Sequence, residues 1–157
     1  MNLYKCNSPN QNFNSTYKKT PDLSNFYKFS ELIEKDQEVD NCVLIYAQIN
    51  ELTPLKEQLL TGDIYMEVSN CNSRVDEDIL MDALKPYLNY LKENDVQVWT
   101  GISSLEKDYF LWINIWESEE YREKFLLEWV NSNNSGKIAK TLMSSAFCEN
   151  PSTYLFL

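Results

Sequence analysis

The chain has 157 residues, enough for one domain with a sizeable hydrophobic core. Its 14 Lys and Arg against 24 Asp and Glu give a formal charge of −10, and a field of that sign repels nucleic-acid phosphates and anionic membrane surfaces. The absence of histidine excludes Ser-His-Asp and Cys-His catalytic systems, HExxH zinc sites and a haem held by a proximal histidine of this chain.

The N-terminal part, residues 1–21, is rich in Asn, Ser and Lys and shows no periodicity, which predicts a flexible segment. It has neither the apolar core of a signal peptide nor an Arg-rich amphipathic pattern, so we expect a cytoplasmic protein without membrane contact. Cys6, Cys42, Cys71 and Cys148 contain no CxxC pair, and we expect reduced thiols rather than zinc ligands or disulfides.

Residues 22–62 are predicted to form an N-terminal extension that packs on the main domain. Apolar residues at helical spacing predict a helix over 24–35. The almost continuous apolar run "CVLIYAQI" predicts a buried strand over 42–49, and "ELTPLKEQLL" predicts a short helix over 51–60 that Gly62 ends.

Residues 63–157 have the clearest pattern and are predicted to form the main domain. Alternating residues predict strands over 63–68, 96–102, 109–116 and 152–157. Amphipathic spacing predicts a helix over 76–94 that Pro86 kinks or breaks, a helix that Ser118 caps and that ends near Asn131, and a helix over 136–147. This is the order of a ferredoxin-like βαββαβ unit, an α+β fold with an antiparallel sheet and helices on one face.

The strands of this unit divide their side chains into an aliphatic set and a mostly aromatic set, because successive residues point to opposite faces. The aliphatic set, expected to face the helices, is Ile64, Met66, Val68, Val96, Val98, Ile102, Leu111, Ile113, Ile115, Leu155 and Leu157. The opposite set is Tyr65, Glu67, Gln97, Trp99, Phe110, Trp112, Asn114, Trp116, Tyr154 and Phe156.

An aromatic face of that size exceeds the apolar patch that a soluble monomer usually exposes, so something must cover it. The candidates are a second copy of the chain, the segment 22–61, an apolar ligand or a different protein. We expect a homodimer, because the apolar residues of the segment are largely needed to pack its own helix and strand.

Three segments, "VQVWTGISSLEKDYFLW", "INIWESEEYREKFLLEW" and "KIAKTLMSSAFCENPSTYLFL", resemble the dimeric α/β-barrel superfamily and, within it, the antibiotic-biosynthesis monooxygenase-like domains. The resemblance implies that two units pair their open sheet faces and that small aromatic or polyketide-like molecules, or haem, bind between sheet and helices. Cofactor-independent oxygenases of this layout use an Asn, a Trp and a His. Asn114 and either Trp112 or Trp116 match the first two, and the absent His argues against oxygenation and still more against haem degradation.

The candidate site lies on the aromatic face. The proposed ligand-binding residues are Tyr65, Gln97, Trp99, Phe110, Trp112 and Trp116, and the proposed catalytic residues are Asn114, as a hydrogen-bonding group, and Glu67, as a general base.

Together these residues predict a small-molecule-binding or cofactor-independent oxygenase-like protein for an apolar or aromatic ligand, without metal or other cofactor. Whether it is an enzyme stays open. The alternative is an acidic protein-binding module, such as a toxin immunity or inhibitor protein that covers a basic active site. A purely structural, self-associating role is the third possibility.

Overall fold

The computed structural model describes residues 2–6, 15–20, 26–30, 42–46, 49–54 and 65–156. Within these ranges the chain is an α+β fold with an antiparallel sheet and three helices. The helices are α1 (Glu77–Glu93), α2 (Glu119–Asn131) and α3 (Ser135–Ser145). Among the described residues, none of these helices combines the length and the apolar character needed to cross a membrane.

The strands are β1 (Asn2–Cys6), β2 (Ser15–Thr20), β3 (Phe26–Ser30), β4 (Cys42–Tyr46), β5 (Ile49–Glu51), β6 (Tyr65–Ser73), β7 (Val98–Ser103), β8 (Tyr109–Trp116), β9 (Ala146–Cys148) and β10 (Ser152–Phe156). Their order in the sheet is β4-β1-β3-β2-β10-β6-β8-β7-β5, and β9 pairs with β6. The helices pack on the strands β6, β8 and β7, with which they share two hydrophobic clusters.

The register of these three strands brings polar residues together at the centre of the sheet. Glu67 of β6 lies opposite Asn114 of β8, and Asn114 lies opposite Thr100 of β7. Directly opposed residues of an antiparallel pair share a face, so these three side chains point to the same side.

Strands β9 and β10 pair in turn with one edge of β6. Cys148 lies opposite Cys71, and Ser152 lies opposite Val68. Residues 149–151 of the C-terminal segment thus oppose only residues 69–70 of β6, which is a one-residue bulge. Pro151 lies in this bulge, where its missing N–H does not interrupt the ladder.

The N-terminal third differs from the prediction. The helix predicted over 24–35 is wrong for residues 26–30, which form β3 between β1 and β2. Residues 2–6 and 15–20 are strands where the sequence indicated no regular structure. In each case pairing with distant strands outweighs the local pattern. Strand β4 confirms most of the strand predicted over 42–49.

The helix predicted over 51–60 lies mostly outside the described residues, and within them residue 51 ends β5. In the rest of the chain, residues 146–147, predicted as the end of a helix, belong to β9, and β6 continues to Ser73 beyond the predicted end at residue 68. The helices α1 and α2 and the strand β8 agree with the sequence pattern. Ser118 caps α2, since its Oγ accepts a hydrogen bond of 3.1 Å from the backbone N–H of Tyr121. Helix α1 continues through Pro86 from Glu77 to Glu93, so the predicted break does not occur.

The predicted assignment of faces is wrong for β6 and β8. The ring of Trp112 lies 5.9 Å from that of Tyr87 in α1, and the ring of Trp116 lies 5.2 Å from that of Phe125 in α2, centroid to centroid. The aromatic set of these strands therefore faces the helices. Large rings suit this side because the helices present rings of their own, among them Trp129.

Strand β7 has the predicted face toward the helices, and its pairing with β8 explains why the predicted faces of β6 and β8 are wrong. Val98 faces the helices as expected, and the register places it opposite Trp116. The aliphatic residues of β7 therefore share a face with the aromatic residues of β8. The observed register therefore does not allow the predicted grouping of all aliphatic residues on one face of the sheet.

The other face of the sheet is also buried within a single chain. Met66, Trp99 and Ile113 are each 0 % exposed. Neither face of β6, β7 and β8 leaves a large aromatic surface in solvent, so the argument for a homodimer from an open aromatic face no longer holds.

Candidate functional site

A cavity of about 520 Å³ lies between the helix-facing side of the sheet and the helices α1 and α3. Its lining is mainly apolar and consists of Glu67, Ser69, Arg74, Leu80, Leu84, Phe110, Trp112, Asn114, Leu142, Met143, Ala146, Phe147, Cys148 and Pro151. Met143 is 70 % exposed and Phe147 56 % exposed, so they form the rim. The volume and the few polar groups are typical of a small-molecule site.

Asn114 is held in one orientation by two donors. The indole Nε1 of Trp112 donates to Asn114 Oδ1 at 3.0 Å, and the hydroxyl of Thr100 donates to the same oxygen at 2.9 Å. An indole N–H only donates, so the atom that faces Trp112 must be the amide oxygen. The Nδ2 amino group therefore points away from both donors, and within the described residues it has no protein acceptor.

Glu67 lies beside Asn114 and has two protein partners, Trp116 and Arg122. Its side chain is buried, its Oε2 accepts a hydrogen bond of 2.8 Å from Trp116 Nε1, and its Oε1 lies 2.6 Å from Nη2 of Arg122 in α2. A buried carboxylate needs such partners because desolvation of an unpaired charge is costly. Glu67 thus joins the sheet to α2. Its Oε2 is hydrogen-bonded, whereas its Oε1 is paired with Arg122 by charge and accepts no hydrogen bond.

Burial dominates the titration of the two tyrosines near Glu67. Burial raises the pKa of Tyr87 far above its ordinary value, and the charge of Glu67 adds to the shift. Burial also raises the pKa of Tyr65, against a hydrogen bond with the side chain of Thr153 that lowers it. Both phenols therefore stay neutral at physiological pH.

The structure brings four of the eight sequence-derived site residues into the cavity wall: Glu67, Phe110, Trp112 and Asn114. Tyr65 and Trp116 lie on the same face but in the neighbouring cluster under α1 and α2. Trp99 lies on the opposite face of the sheet, where its Nε1 donates to Glu51 Oε2 at 2.7 Å. Gln97 lies before β7, where its Nε2 donates to the carbonyl oxygen of Asp95.

Sequence reasoning missed the part of the cavity that the C-terminal segment supplies. Met143 and Phe147 lie in α3 and β9, and the backbone N–H of Arg74 donates to the carbonyl oxygen of Ser145 at 2.8 Å, which joins this segment to the loop before α1. The missed signal was the amphipathic pattern of α3, whose apolar residues had no assigned partner.

The cysteines correct a further expectation. Cys71 and Cys148 form a disulfide between β6 and β9, so the prediction of reduced thiols is wrong for this pair. The two residues occupy directly opposed positions of antiparallel strands, an arrangement that sequence spacing alone does not reveal. Cys148 also belongs to the cavity wall, so the crosslink fixes the β9 side of the site.

No group of three or more Cys, Asp or Glu side chains in the described part of the chain is arranged to hold a metal ion. Comparison with protein-family models, with curated proteins and with solved structures gave no match to this chain.

Proposed function

We propose that this protein binds a flat, apolar or aromatic small molecule in the cavity between its sheet and the helices α1 and α3. The observation that carries the proposal is the orientation of Asn114. Its oxygen is fixed by Trp112 and Thr100, which leaves an amide donor in a mainly apolar cavity. A ligand with an acceptor oxygen, such as a planar ketone, would satisfy that donor and bury its rings against Trp112 and Phe110.

We further infer that residues 63–157 form a ferredoxin-like unit of the dimeric α/β-barrel type. The strand order β10-β6-β8-β7, with α1, α2 and α3 connecting these strands, supports this assignment. The resemblance of the three quoted segments points the same way. A cavity between sheet and helices is where ligands of such domains are expected.

Binding is better supported than oxygenation. The pair of Asn114 and Trp112 matches two parts of the oxygenase pattern, but the chain has no histidine for the third. Glu67, the proposed base, already pairs with Trp116 and Arg122. An oxygenase-like reaction would need a proton acceptor from the substrate or from solvent.

The test is isothermal titration with flavone, a neutral planar ketone, on three proteins. The wild type should bind it. Asn114→Asp keeps an oxygen for Trp112 and Thr100 but replaces the amide donor by an acceptor, so the affinity should fall at least about tenfold. Asn89→Asp, on the exposed side of α1, is the matched control and should bind as the wild type does.

Asn114→Ser shortens the donor side chain without adding a charge. It therefore distinguishes loss of the amide donor from repulsion between a new carboxylate at position 114 and Glu67. Urea unfolding of each variant shows whether the fold is retained. The absence of binding by the wild type, with flavone and with other planar ketones, would contradict the proposal.

One observation favours the alternative role as a protein-binding module. The exposed side of α2 carries Leu127 and Val130, which are 68 % and 69 % exposed, beside the acidic Glu123 and Glu128. A basic partner with an apolar patch would fit this surface. Leu127→Glu should abolish capture of such a partner from host lysate and leave flavone binding unchanged.

Self-association and a cytoplasmic location are two further proposals. Sedimentation at micromolar concentration tests the homodimer. Fractionation of the native host tests the location, and the disulfide argues against a reducing compartment, where such crosslinks are rare.

A further inference from the structure

The charges around the cavity do not cancel. Glu67 is the only carboxylate in the described cavity wall, and Arg122 pairs with it at 2.6 Å. Arg74, the other charged residue of the wall, forms no ion pair with any described residue. The cavity therefore has a local excess of one positive charge in a protein whose formal charge is −10.

Arg74 is held where it can meet a ligand. Its Nη1 donates to the carbonyl oxygen of Met143 at 3.2 Å, and its backbone N–H donates to that of Ser145 at 2.8 Å. The first contact places the guanidinium of the exposed Arg74 beside Met143 at the rim, and the second holds its backbone against the end of α3. A guanidinium has five N–H donors, so most of them are left for a further acceptor.

We propose, on the basis of the small-molecule function inferred above, that the ligand is an amphipathic monoanion with a flat apolar body and one carboxylate. The body lies against Phe110, Trp112 and Leu84, an acceptor oxygen on it meets the amide of Asn114, and the carboxylate pairs with Arg74 at the rim. A planar, bidentate carboxylate matches the guanidinium fork.

A cationic or a neutral ligand would match the charges of the cavity less well than an anion does. A cation would meet Arg74 at the mouth, and Glu67, the carboxylate of the described cavity wall, is already neutralised by Arg122. A neutral ligand would leave the guanidinium without a counter-charge. The acidic exterior repels anions in general, so an anion-selective site requires a positive group at the site itself, which Arg74 supplies.

The test compares two probes with the same ring system, 2-naphthoate and the neutral 2-naphthamide, by isothermal titration at neutral pH. The wild type should bind the naphthoate at least about tenfold more tightly than the amide. Arg74→Gln should remove this preference while the affinity for the amide stays unchanged. Arg74→Lys, which keeps the charge, should retain most of the preference.

Lys124→Gln, on the exposed side of α2, removes one positive charge away from the cavity and is the matched control. It should keep the wild-type preference. If the wild type binds the amide as well as the naphthoate, the anionic ligand is wrong while the proposed function stands. If Arg74→Gln weakens both probes equally, Arg74 supports the fold and not the ligand. If neither probe binds while flavone does, the anionic ligand is wrong and the proposed function stands. If flavone also fails to bind, the proposed function itself fails.

Discussion

Oε1 of Glu67, at the centre of the sheet, lies 2.6 Å from Nη2 of Arg122 in α2. The carboxylate is 7 % exposed and the arginine side chain 25 % exposed, so water screens this pair only in part. Trp116 donates to the second carboxylate oxygen. The pair therefore fixes the position of α2 over the sheet and keeps a charged group of the cavity wall neutralised.

Removal of the Arg122 guanidinium should lower the free energy of unfolding. Arg122→Met leaves the Glu67 carboxylate buried without its counter-charge, and we expect a loss of about 3 kcal/mol in the free energy of unfolding. The double variant Glu67→Gln with Arg122→Met should recover much of that loss, because the charge is gone. Lys85→Met, which breaks an exposed pair with Asp82, is the control and should change stability by no more than about 0.5 kcal/mol. If Arg122→Met and Lys85→Met lower the free energy of unfolding equally in urea, the role of Arg122 as the partner of Glu67 is contradicted.

A second prediction concerns the face opposite the helices. A Cβ on Gly101 would lie 2.5 Å from Cη2 of Trp99 and 2.8 Å from Cγ2 of Ile49, closer than side-chain atoms approach. Gly101→Ala should therefore destabilise the protein by about 1–3 kcal/mol. Gly136→Ala is the matched control, since a Cβ there meets nothing within 4 Å and the residue lies in α3. It should stabilise by about 0.5–1 kcal/mol in thermal unfolding.

A third prediction follows from Tyr87. Burial raises the pKa of this phenol in the folded protein far above the ordinary value for a tyrosine, so folding favours the neutral form. The resulting stability is fully present below about pH 10 and is lost as the pH rises above it, because the unfolded chain ionises first. Unfolding midpoints measured against pH should fall less steeply for Tyr87→Phe than for the wild type. Tyr109→Phe, at a ring that is 56 % exposed, serves as the control. Identical slopes for Tyr87→Phe and the wild type would refute this assignment.

The disulfide gives a fourth prediction. Peptide mapping without reduction should recover the Cys71 and Cys148 peptides as one linked species. The crosslink spans 77 residues, and replacing both cysteines by alanine should lower the free energy of unfolding by about 2–5 kcal/mol. Free thiols at both positions in protein purified from its host would contradict the crosslink and restore the expectation of a reducing compartment.

The sequence predicted the local elements of residues 65–156 well, because their signals are local. Alternation defines β8, and Ser118 with the acids that follow defines the start of α2. It did not predict which face of β6 and β8 the helices cover, because both faces are apolar and hydrophobicity alone does not distinguish them. The contacts of Trp112 and Trp116 with rings of α1 and α2 show which face the helices cover. Those contacts depend on the register of the strands, which the sequence pattern does not reveal. Glu67 and Asn114 still lie together with Trp112 in the cavity wall, because they share the face of those rings.

The fifth prediction tests the cavity without altering Asn114 or the charged residues of the wall. Ser69 lies in the cavity wall on β6, opposite Trp112 in the register, between the polar pair at the centre of the sheet and the disulfide. Ser69→Leu adds apolar volume there, so it should keep or raise the free energy of unfolding, by up to about 1 kcal/mol, as the new methyl groups become buried.

The same side chain occupies the space that the rings of a ligand would need, and flavone affinity should fall at least about tenfold. Ser144→Leu, on the exposed side of α3, adds the same side chain outside the cavity and is the control. A variant that is stable and no longer binds places the ligand between sheet and helices. If Ser69→Leu binds flavone as tightly as Ser144→Leu does, the ligand lies elsewhere on the protein.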